Sequence, residues 1–330
     1  MDLIIYLEKK VCLYMFKITA IICTYNRAKF LEKSLNSLFK QSLSSNDFEI
    51  IVVDNNSTDN TKEIFERCCA QNPAYKVEYI FEPRQGLSFA RNTGWKRANS
   101  PFVYYLDDDG IASEELLEEY LKLFLKGGDK VVACGGKIIV DYDPDRPDWL
   151  PVFFERFYGD YSRGDEVVEC EYVPGGNSAW RVLFLNESKG FSEELGRVGE
   201  DGAGCEESLL NMRALKMGYK LMYSPHALMY HYAGPSRLNL KWLLNRMRGQ
   251  GKSSSKLVLM NSANKEKTAF NCFKKDMLDL LEIMFTPTIK EKNIKRELIS
   301  RMAFGTEKIF RIRTWLDVLV MKKNIEILSR

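Results

Sequence analysis

Three adjacent carboxylates form the strongest chemical signal in the sequence. The acidic triplet, residues 107–109, directly follows the hydrophobic run 102–106. Like charges this close repel one another unless a cation or strong hydrogen-bond donors lie among them. If the run is a buried strand, alternation points Asp107 and Asp109 to the same side, where their oxygens suit Mg²⁺ or Mn²⁺. The alternative is a solvated acidic turn that caps the following helix, with Ser113 as its N-cap.

Short apolar runs alternate with amphipathic segments over the first third of the chain. The pattern predicts strands at 18–23, 48–53, 77–81 and 102–106, with helices between them. This alternation is typical of a mostly parallel sheet flanked by helices, in which ligands bind at the carboxyl ends of the strands. No Gly-rich phosphate loop follows any strand, so the charge of a bound phosphate would be met by a metal and by Arg84 and Arg91.

Composition divides the chain into an acidic body and a basic tail. The chain has 330 residues with a net charge of +3, but residues 236–330 contain 21 Lys and Arg against 9 Asp and Glu, which is +12. The remaining 27 basic and 36 acidic residues give −9 for residues 1–235. Basic amphipathic helices are predicted in the tail, where they would either lie on an anionic membrane surface or form a subdomain with a solvated basic face.

The eight cysteines are scattered without a C-x-x-C pair, which favours free thiols in a reducing compartment over disulfides or a zinc site. Residues 1–14 are predicted to be a dispensable extension, and neither a secretory signal nor a spanning helix is predicted. The stretch 141–165 lacks periodicity. Its aromatic residues are predicted either to form a stacking platform for a sugar or lipid-linked acceptor, or to fasten the loop to the core: Trp149, Phe153, Phe154, Phe157, Tyr158 and Tyr161.

Four sequence blocks, taken in order, resemble the inverting family 2 glycosyltransferases of the GT-A fold. The blocks are IICTYNR at 21–27, VVDNNSTD at 52–59, GLSFARN at 86–92 and LDDD at 106–109. They cover about the first third of the chain. The resemblance implies a GT-A type nucleotide-binding fold, a nucleotide-sugar donor and a divalent metal, Mn²⁺ or Mg²⁺.

The resemblance also implies roles for individual residues. The implied donor-binding residues are Thr24, Tyr25, Arg27, Asp54, Arg91, Asp107, Asp108 and Asn177, the last from the Gly-x-Asn segment near 175–177. The implied metal ligands are Asp109, Asp107 and His231. For Thr24 and Asp54 the alternative is turn and cap chemistry, and for His231 it is a structural role.

Two acidic pairs compete for the role of general base, Glu200-Asp201 and Glu206-Glu207. In the family, the second acid of the pair opens a helix and is followed by Arg six residues later and by Gly some five residues beyond that Arg. Arg213 and Gly218 satisfy this spacing from Glu207, and nothing does so from Asp201. The resemblance therefore implies Glu207 as the base, with Glu206 as its neighbour and Asp201 as the reserve candidate.

Together these features predict a metal-dependent, inverting, hexosyltransferase-type glycosyltransferase. It would move one sugar, from a UDP-sugar, to a hydroxyl of a saccharide or lipid-linked acceptor in cell-surface glycan synthesis, in the cytoplasm or on the inner face of the cell membrane. The predicted domains are an extension at 1–14, a catalytic domain at 15–235 (nucleotide-sugar half 15–110, acceptor half 111–235) and a basic helical region at 236–330. The alternatives are a sugar nucleotidyltransferase and a non-catalytic, basic-tailed binding protein. No nucleic-acid partner is expected.

Overall fold

The computed structural model describes residues 14–199, 203–285 and 293–328, together with two short strands near the N-terminus. The strands in these residues are β1 (Tyr6–Leu7), β2 (Lys10–Val11), β3 (Ile18–Thr24), β4 (Phe48–Asp54), β5 (Lys76–Phe81), β6 (Phe102–Asp107), β7 (Gly110–Ala112), β8 (Val131–Tyr142), β9 (Val168–Cys170), β10 (Asn177–Arg181) and β11 (Lys220–Ala233). The α-helices are α1 (Ala28–Leu38), α2 (Thr61–Gln71), α3 (Leu87–Arg97), α4 (Leu116–Gly127), α5 (Val182–Glu187), α6 (Glu206–Lys216), α7 (Leu240–Met260), α8 (Lys265–Phe285) and α9 (Ile294–Leu328).

The main sheet has nine strands in the described part of the chain, in the order β5-β4-β3-β6-β10-β8-β11-β7, with β9 paired to β11. Strands β5, β4, β3 and β6 are parallel to one another. Strand β10 is antiparallel to both β6 and β8, and β11 is antiparallel to β7 and β9. The predicted parallel sheet is confirmed for the first four strands, and the sheet as a whole is mixed.

Alternating side chains of the strands build a hydrophobic core on each face of the sheet. One core joins strand residues such as Ile18, Ala20 and Ile22 to helices α1, α2 and α4. The other joins Ile21, and inward residues of β4 and β6, to helices α3, α5 and α6. The fully buried β-branched residues that made these strands recognisable are therefore covered on both sides, as parallel strands require.

Strand register brings the polar strand ends to one edge of the sheet. Thr24 of β3 lies opposite Asp54 of β4, and Cys23 lies opposite Asp107 of β6. The register therefore places these polar side chains at the carboxyl ends of the parallel strands, the edge at which such sheets usually bind ligands.

The acidic triplet is not followed by a capped helix, which was the alternative reading of these carboxylates. The chain forms strand β7 directly after the acidic triplet, and α4 begins at Leu116 with no side-chain cap, so Ser113 is not an N-cap. Residues 220–233 form the single strand β11. Pro225, which cannot donate a backbone hydrogen bond, lies between the segments of β11 that pair with β9 and β7.

Contacts between Cα atoms divide the chain into two compact units. The first, Met1–Asp141 with Gly159–Glu193 and Glu206–Tyr232, contains the sheet. The second consists of Tyr142–Tyr158, Glu194–Cys205 and Ala233–Arg330. The division therefore differs from a single boundary at residue 235, because two inner segments belong to the helical unit.

The aromatic stretch within 141–165 contributes to the interior of the second unit. Phe154 is fully buried and packs on Phe304 with ring centroids 5.0 Å apart. Tyr158 is also buried and packs on Trp242 at 4.6 Å. These two rings fasten the loop to the helices of their unit, which is the second of the two roles expected from the sequence.

No helix among residues 14–199, 203–285 and 293–328 has both the length and the apolar composition needed to cross a membrane. The seven cysteines in this described part of the chain are free thiols.

Candidate active site

The three carboxylates of the acidic triplet point in two directions, with Asp107 and Asp109 on one side and Asp108 on the other. Asp107 and Asp109 approach His231 of β11, and one ligand atom from each of these three residues lies within 4.8 Å of the others. His231 Nε2 is 3.2 Å from Asp109 Oδ1 and 3.9 Å from Asp107 Oδ2. Two carboxylates and an imidazole form a donor set that fits a divalent metal such as Mn²⁺. The predicted convergence of Asp107, Asp109 and His231 is therefore present in the structure.

Backbone pairing and a glycine place the imidazole. His231 is paired with Gly110 across the β11–β7 ladder, one residue after the acidic triplet. Gly159 faces the ring, since a Cβ added there would lie 2.8 Å from His231 Nδ1. The φ angle of +111° at Gly159 is one that residues with a side chain rarely adopt, so glycine is required here on two grounds.

Asp108 points to the other side and is held within the protein. It accepts a hydrogen bond from Thr24 Oγ1 at 2.9 Å, and Arg27 Nε lies 3.3 Å from its other oxygen. Arg27 also contacts Asp109. Burial raises the pKa of Asp108 above its usual value, and the positive charge of Arg27 opposes that rise. Arg27 thus neutralises part of the charge that the triplet concentrates.

The Gly-Gly pair before β10 lies against the acidic triplet. Asp107 N donates to Gly176 O at 3.1 Å, and a Cβ added to Gly176 would lie 2.1 Å from Asp107 Oδ2. A Cβ added to Gly175 would lie 2.9 Å from the guanidinium of Arg91. The two glycines therefore allow the backbone to lie directly against the side chains of Asp107 and Arg91.

Arg91 is buried at the centre of the site, with 3% of its surface exposed. It donates to Glu206 Oε1 at 2.6 Å and to Gly175 O at 3.0 Å, and it lies 3.7 Å from Asp107 Oδ1. Burial lowers the pKa of Arg91, but the nearby carboxylates raise it by a larger amount. The pKa is therefore above its ordinary value, and the guanidinium is charged. Direct contact with a diphosphate was predicted for Arg91. In this structure Arg91 links Asp107, a candidate metal ligand, to Glu206 of helix α6.

The two glutamates at the start of α6 have different surroundings. Glu206 is 4% exposed and forms an ion pair with Arg91. Burial and the adjacent Glu207 raise the pKa of Glu206, and the positive charge of Arg91 offsets only part of this rise. Glu207 is half-buried and accepts a hydrogen bond from Tyr172 Oη at 2.9 Å. Glu206 is therefore committed to an internal ion pair, whereas Glu207 keeps access to solvent. Asp201, the reserve candidate, lies outside the described residues.

Three of the predicted donor-binding residues lie where the parallel strands end. Thr24 and Asp54 are buried, and Asp54 accepts hydrogen bonds from Ser57 N at 2.9 Å and from Tyr79 Oη. These contacts are the turn chemistry that was the alternative for Asp54. Tyr25, in the loop after β3, is half-buried.

Asn177 is placed differently from the prediction. Its side chain is fully buried; it donates to Lys137 O and Ala227 O at 3.1 and 3.0 Å and accepts from Tyr120 Oη at 2.8 Å. Every polar atom of the amide is used in joining strands beneath the site. In this structure the side chain of Asn177 therefore supports the sheet, and its role in donor binding stays a prediction.

Sequence reasoning missed two residues of the site. Tyr172, which holds Glu207, was passed over because a tyrosine in an aperiodic segment carries no specific signal. Asn26 joins the loop after β3 to the loop after β4. Its Oδ1 accepts a hydrogen bond from Thr58 N at 2.7 Å, and its backbone has a φ angle of +52°. Asparagine tolerates this left-handed conformation better than other residues with a side chain, and that tendency could have identified it.

Comparisons with known proteins agree with this geometry. Residues 19–180 match the family profile described as Glycosyl transferase family 2. The glucosyl-dolichyl phosphate glucuronosyltransferase of Haloferax volcanii is 24% identical over 264 residues, which are 77% of this chain and 82% of the relative. The chain spans only 33% and 32% of the length of two other curated glycosyltransferases that it matches.

Two solved structures share the fold. The mannosyltransferase PcManGT from Pyrobaculum calidifontis, in complex with GDP-Man and Mn²⁺, superposes with a TM-score of 0.61 at 17% identity over 91% of this chain and 87% of that one. Residues 1–349 of TarS from Staphylococcus aureus, in complex with UDP, give 0.52 at 18% identity over 94% and 92%.

The fold and the matched profile define the class of protein: a glycosyltransferase enzyme with the GT-A fold. Within that class, residues 19–180 are similar to the family 2 glycosyltransferases.

Proposed function

We propose that this enzyme is a metal-dependent, inverting glycosyltransferase that moves one sugar from a nucleotide-sugar donor to a hydroxyl group of a saccharide or lipid-linked acceptor. The observation that carries the proposal is the convergence of Asp107, Asp109 and His231 beside the ends of the parallel strands, with Glu207 on the neighbouring helix α6. The related structures contain GDP-Man with Mn²⁺ in one case and UDP in the other. We favour a UDP-sugar as donor and a reducing, cytoplasmic location for the free thiols.

The residues of the site have separable roles in this reaction. Asp107, Asp109 and His231 would hold the divalent metal, which when bound stabilises negative charge on the departing nucleoside diphosphate. Glu207 takes the proton of the acceptor hydroxyl as that oxygen attacks the anomeric carbon. The bond from this carbon to the diphosphate oxygen breaks on the opposite side, and its electron pair leaves with the diphosphate. Attack and departure on opposite faces invert the anomeric configuration.

The donor site is tested by calorimetric titration of a panel of nucleoside diphosphates, with and without Mn²⁺, into the wild-type protein and the variant Asp109→Ala. We expect one nucleotide to bind tightly only with metal, and the variant to lose this binding, because a carboxylate ligand is missing. Asp165→Ala is the matched control: its carboxylate is 91% exposed and makes only a 3.4 Å contact to Lys137. Equal binding by all three proteins, or no nucleotide binding under any condition, would refute the proposed site.

A further inference from the structure

Two helices of the second unit expose rows of apolar side chains. The exposed apolar residues are Phe270, Met277, Leu278 and Leu281 on α8, and Ile294, Leu298, Met302, Ile309, Leu316 and Val320 on α9. We call these ten residues the α8–α9 apolar face. On α9 the intervals are four or seven residues, and on α8 Phe270, Met277 and Leu281 follow the same spacing with Leu278 beside them, so each row lies along one side of its helix. On α9 the row extends about 39 Å, from the helical rise of about 1.5 Å per residue.

Other sides of the same helices build the interior of the unit. Asp276 of α8 accepts hydrogen bonds from Lys308, Arg311 and Trp315 of α9 at 2.8 Å each. Helix α7 packs so closely on α9 that a Cβ added to Gly251 would lie 2.4 Å from the carbonyl oxygen of Glu307. At about 100° per residue, the exposed row of α9 lies on the side of the helix away from α7. The α8–α9 apolar face is therefore separate from the sides of α8 and α9 that pack together within the described part of the unit.

Charge indicates which surface this face would meet. Among the exposed side chains of α8 and α9 in residues 265–283 and 294–320, six are basic and three are acidic. The basic ones are Lys265, Lys267, Lys274, Lys275, Lys295 and Arg313, and the acidic ones are Glu266, Glu282 and Asp317. The whole segment 236–330 carries +12. A second copy of this chain would bring like charges together, whereas an anionic lipid surface is complementary to both the charge and the apolar row.

We propose that the α8–α9 apolar face docks on an anionic lipid surface, with the two helices lying in its plane and their apolar side chains inserted among the acyl chains. Exposed lysines, such as Lys274 and Lys295, then lie at the level of the headgroups. This surface belongs to the second unit, so the proposal does not depend on the transferase function proposed for the first.

The test is flotation of the full-length protein with vesicles of phosphatidylcholine alone or of phosphatidylcholine mixed with phosphatidylglycerol. We expect the wild type to float only with the anionic vesicles, and less at about 1 M salt than at about 0.1 M, because salt screens the attraction. The double variant Ile309→Glu with Leu316→Glu should bind at least about tenfold less, since it places charges in the acyl region. The double variant Lys295→Glu with Arg313→Glu should show a similar loss through charge alone.

Leu125→Glu is the matched control, because Leu125 is an exposed leucine, 67% accessible against 53% for Ile309 and 41% for Leu316, on α4 of the other unit. It should float like the wild type. Circular dichroism of each variant checks that the helices remain folded. If the double variant Ile309→Glu with Leu316→Glu does not fold, the double variant Lys295→Glu with Arg313→Glu still tests the proposal. Absence of flotation, or equal flotation with neutral vesicles, would overturn the proposal. The proposal would also be overturned by a different pair of results: light scattering shows that the wild type is a dimer, and the apolar double variant dissociates this dimer without changing flotation.

Discussion

At the scale of single residues, the acids Glu206 and Glu207 show how burial separates two chemically identical side chains. Glu206 is enclosed with Arg91, and removing one partner of a buried ion pair leaves the other charge uncompensated. Glu207 is partly accessible and held by the hydroxyl of Tyr172. It lies in the first turn of α6, where a carboxylate interacts favourably with the helix dipole.

The substitutions Glu207→Gln and Glu206→Gln should therefore have different consequences. We expect Glu207→Gln to lower kcat by roughly 10²–10⁴-fold, the usual contribution of general acid–base catalysis, with little change in nucleotide binding or stability. Glu206→Gln should lower the free energy of unfolding by about 3 kcal/mol, because Arg91 loses its buried counter-charge. Steady-state kinetics, calorimetric binding and chemical denaturation of the two variants separate these effects. Near-normal turnover by Glu207→Gln would show that the base is another residue.

At the scale of elements, the pairing of β6 with β10 positions Asp107, one of the candidate metal ligands. Gly176 immediately precedes β10, and its carbonyl accepts the backbone N–H of Asp107 at 3.1 Å. The carboxylate of Asp107 occupies the space that any side chain at position 176 would need. The absence of a Cβ at Gly176 is therefore a condition for the observed position of Asp107.

We predict that Gly176→Ala weakens Mn²⁺ binding by more than about tenfold, because the new methyl group would lie 2.1 Å from Asp107 Oδ2 and must displace it. Gly305→Ala on α9 is the control, since its Cβ would meet only Leu280 at 3.9 Å, an ordinary contact. Calorimetric titration with Mn²⁺ measures both variants. Unchanged metal affinity in Gly176→Ala would mean that Asp107 is not a ligand of the metal.

The elements near the N-terminus could be predicted from the sequence because their signals are local. Apolar runs alternating with amphipathic segments predicted β3 to β6, and the shared strand direction places Asp54 and Asp107 at the same edge of the sheet. The burial of Arg91 and of Asn177 could not be predicted in this way. Both depend on partners distant in sequence, Glu206 lying 115 residues from Arg91, and no local pattern encodes such a contact.

At the scale of the whole molecule, each unit has its own means of stability. The sheet-containing unit has two large apolar cores, whereas the helical unit has a small cluster that includes Leu259, Ala269 and Trp315. The helical unit adds the buried carboxylate of Asp276, which is bound by Lys308, Arg311 and Trp315. Polar contacts to Asp276 therefore act together with apolar packing to hold α8 and α9 together.

This difference predicts that acid destabilises the helical unit through Asp276. Burial raises the pKa of Asp276, but the hydrogen bonds from Lys308, Trp315 and Arg311 outweigh it and leave the pKa below its ordinary value. For a carboxyl group whose pKa is lowered in the folded state, the stabilisation is fully present above the unfolded pKa of about 3.9 and is lost as pH falls through the folded value. Stability that depends on Asp276 should therefore be constant near neutral pH and decline below about pH 4.

Asp276→Asn tests this prediction. The variant should lose about 3 kcal/mol at neutral pH, since Arg311 and Lys308 lose a buried charged partner, and should show less further loss as the pH falls through the acid range. Hydrogen–deuterium exchange followed by mass spectrometry localises the effect, which we expect in peptides of α8 and α9 and not in those of β3 to β6. Asp317→Asn, an exposed carboxylate on the same helix α9, should exchange like the wild type. If hydrogen–deuterium exchange in α8 and α9 is the same in Asp276→Asn as in the wild type, the apolar cluster alone holds these helices together.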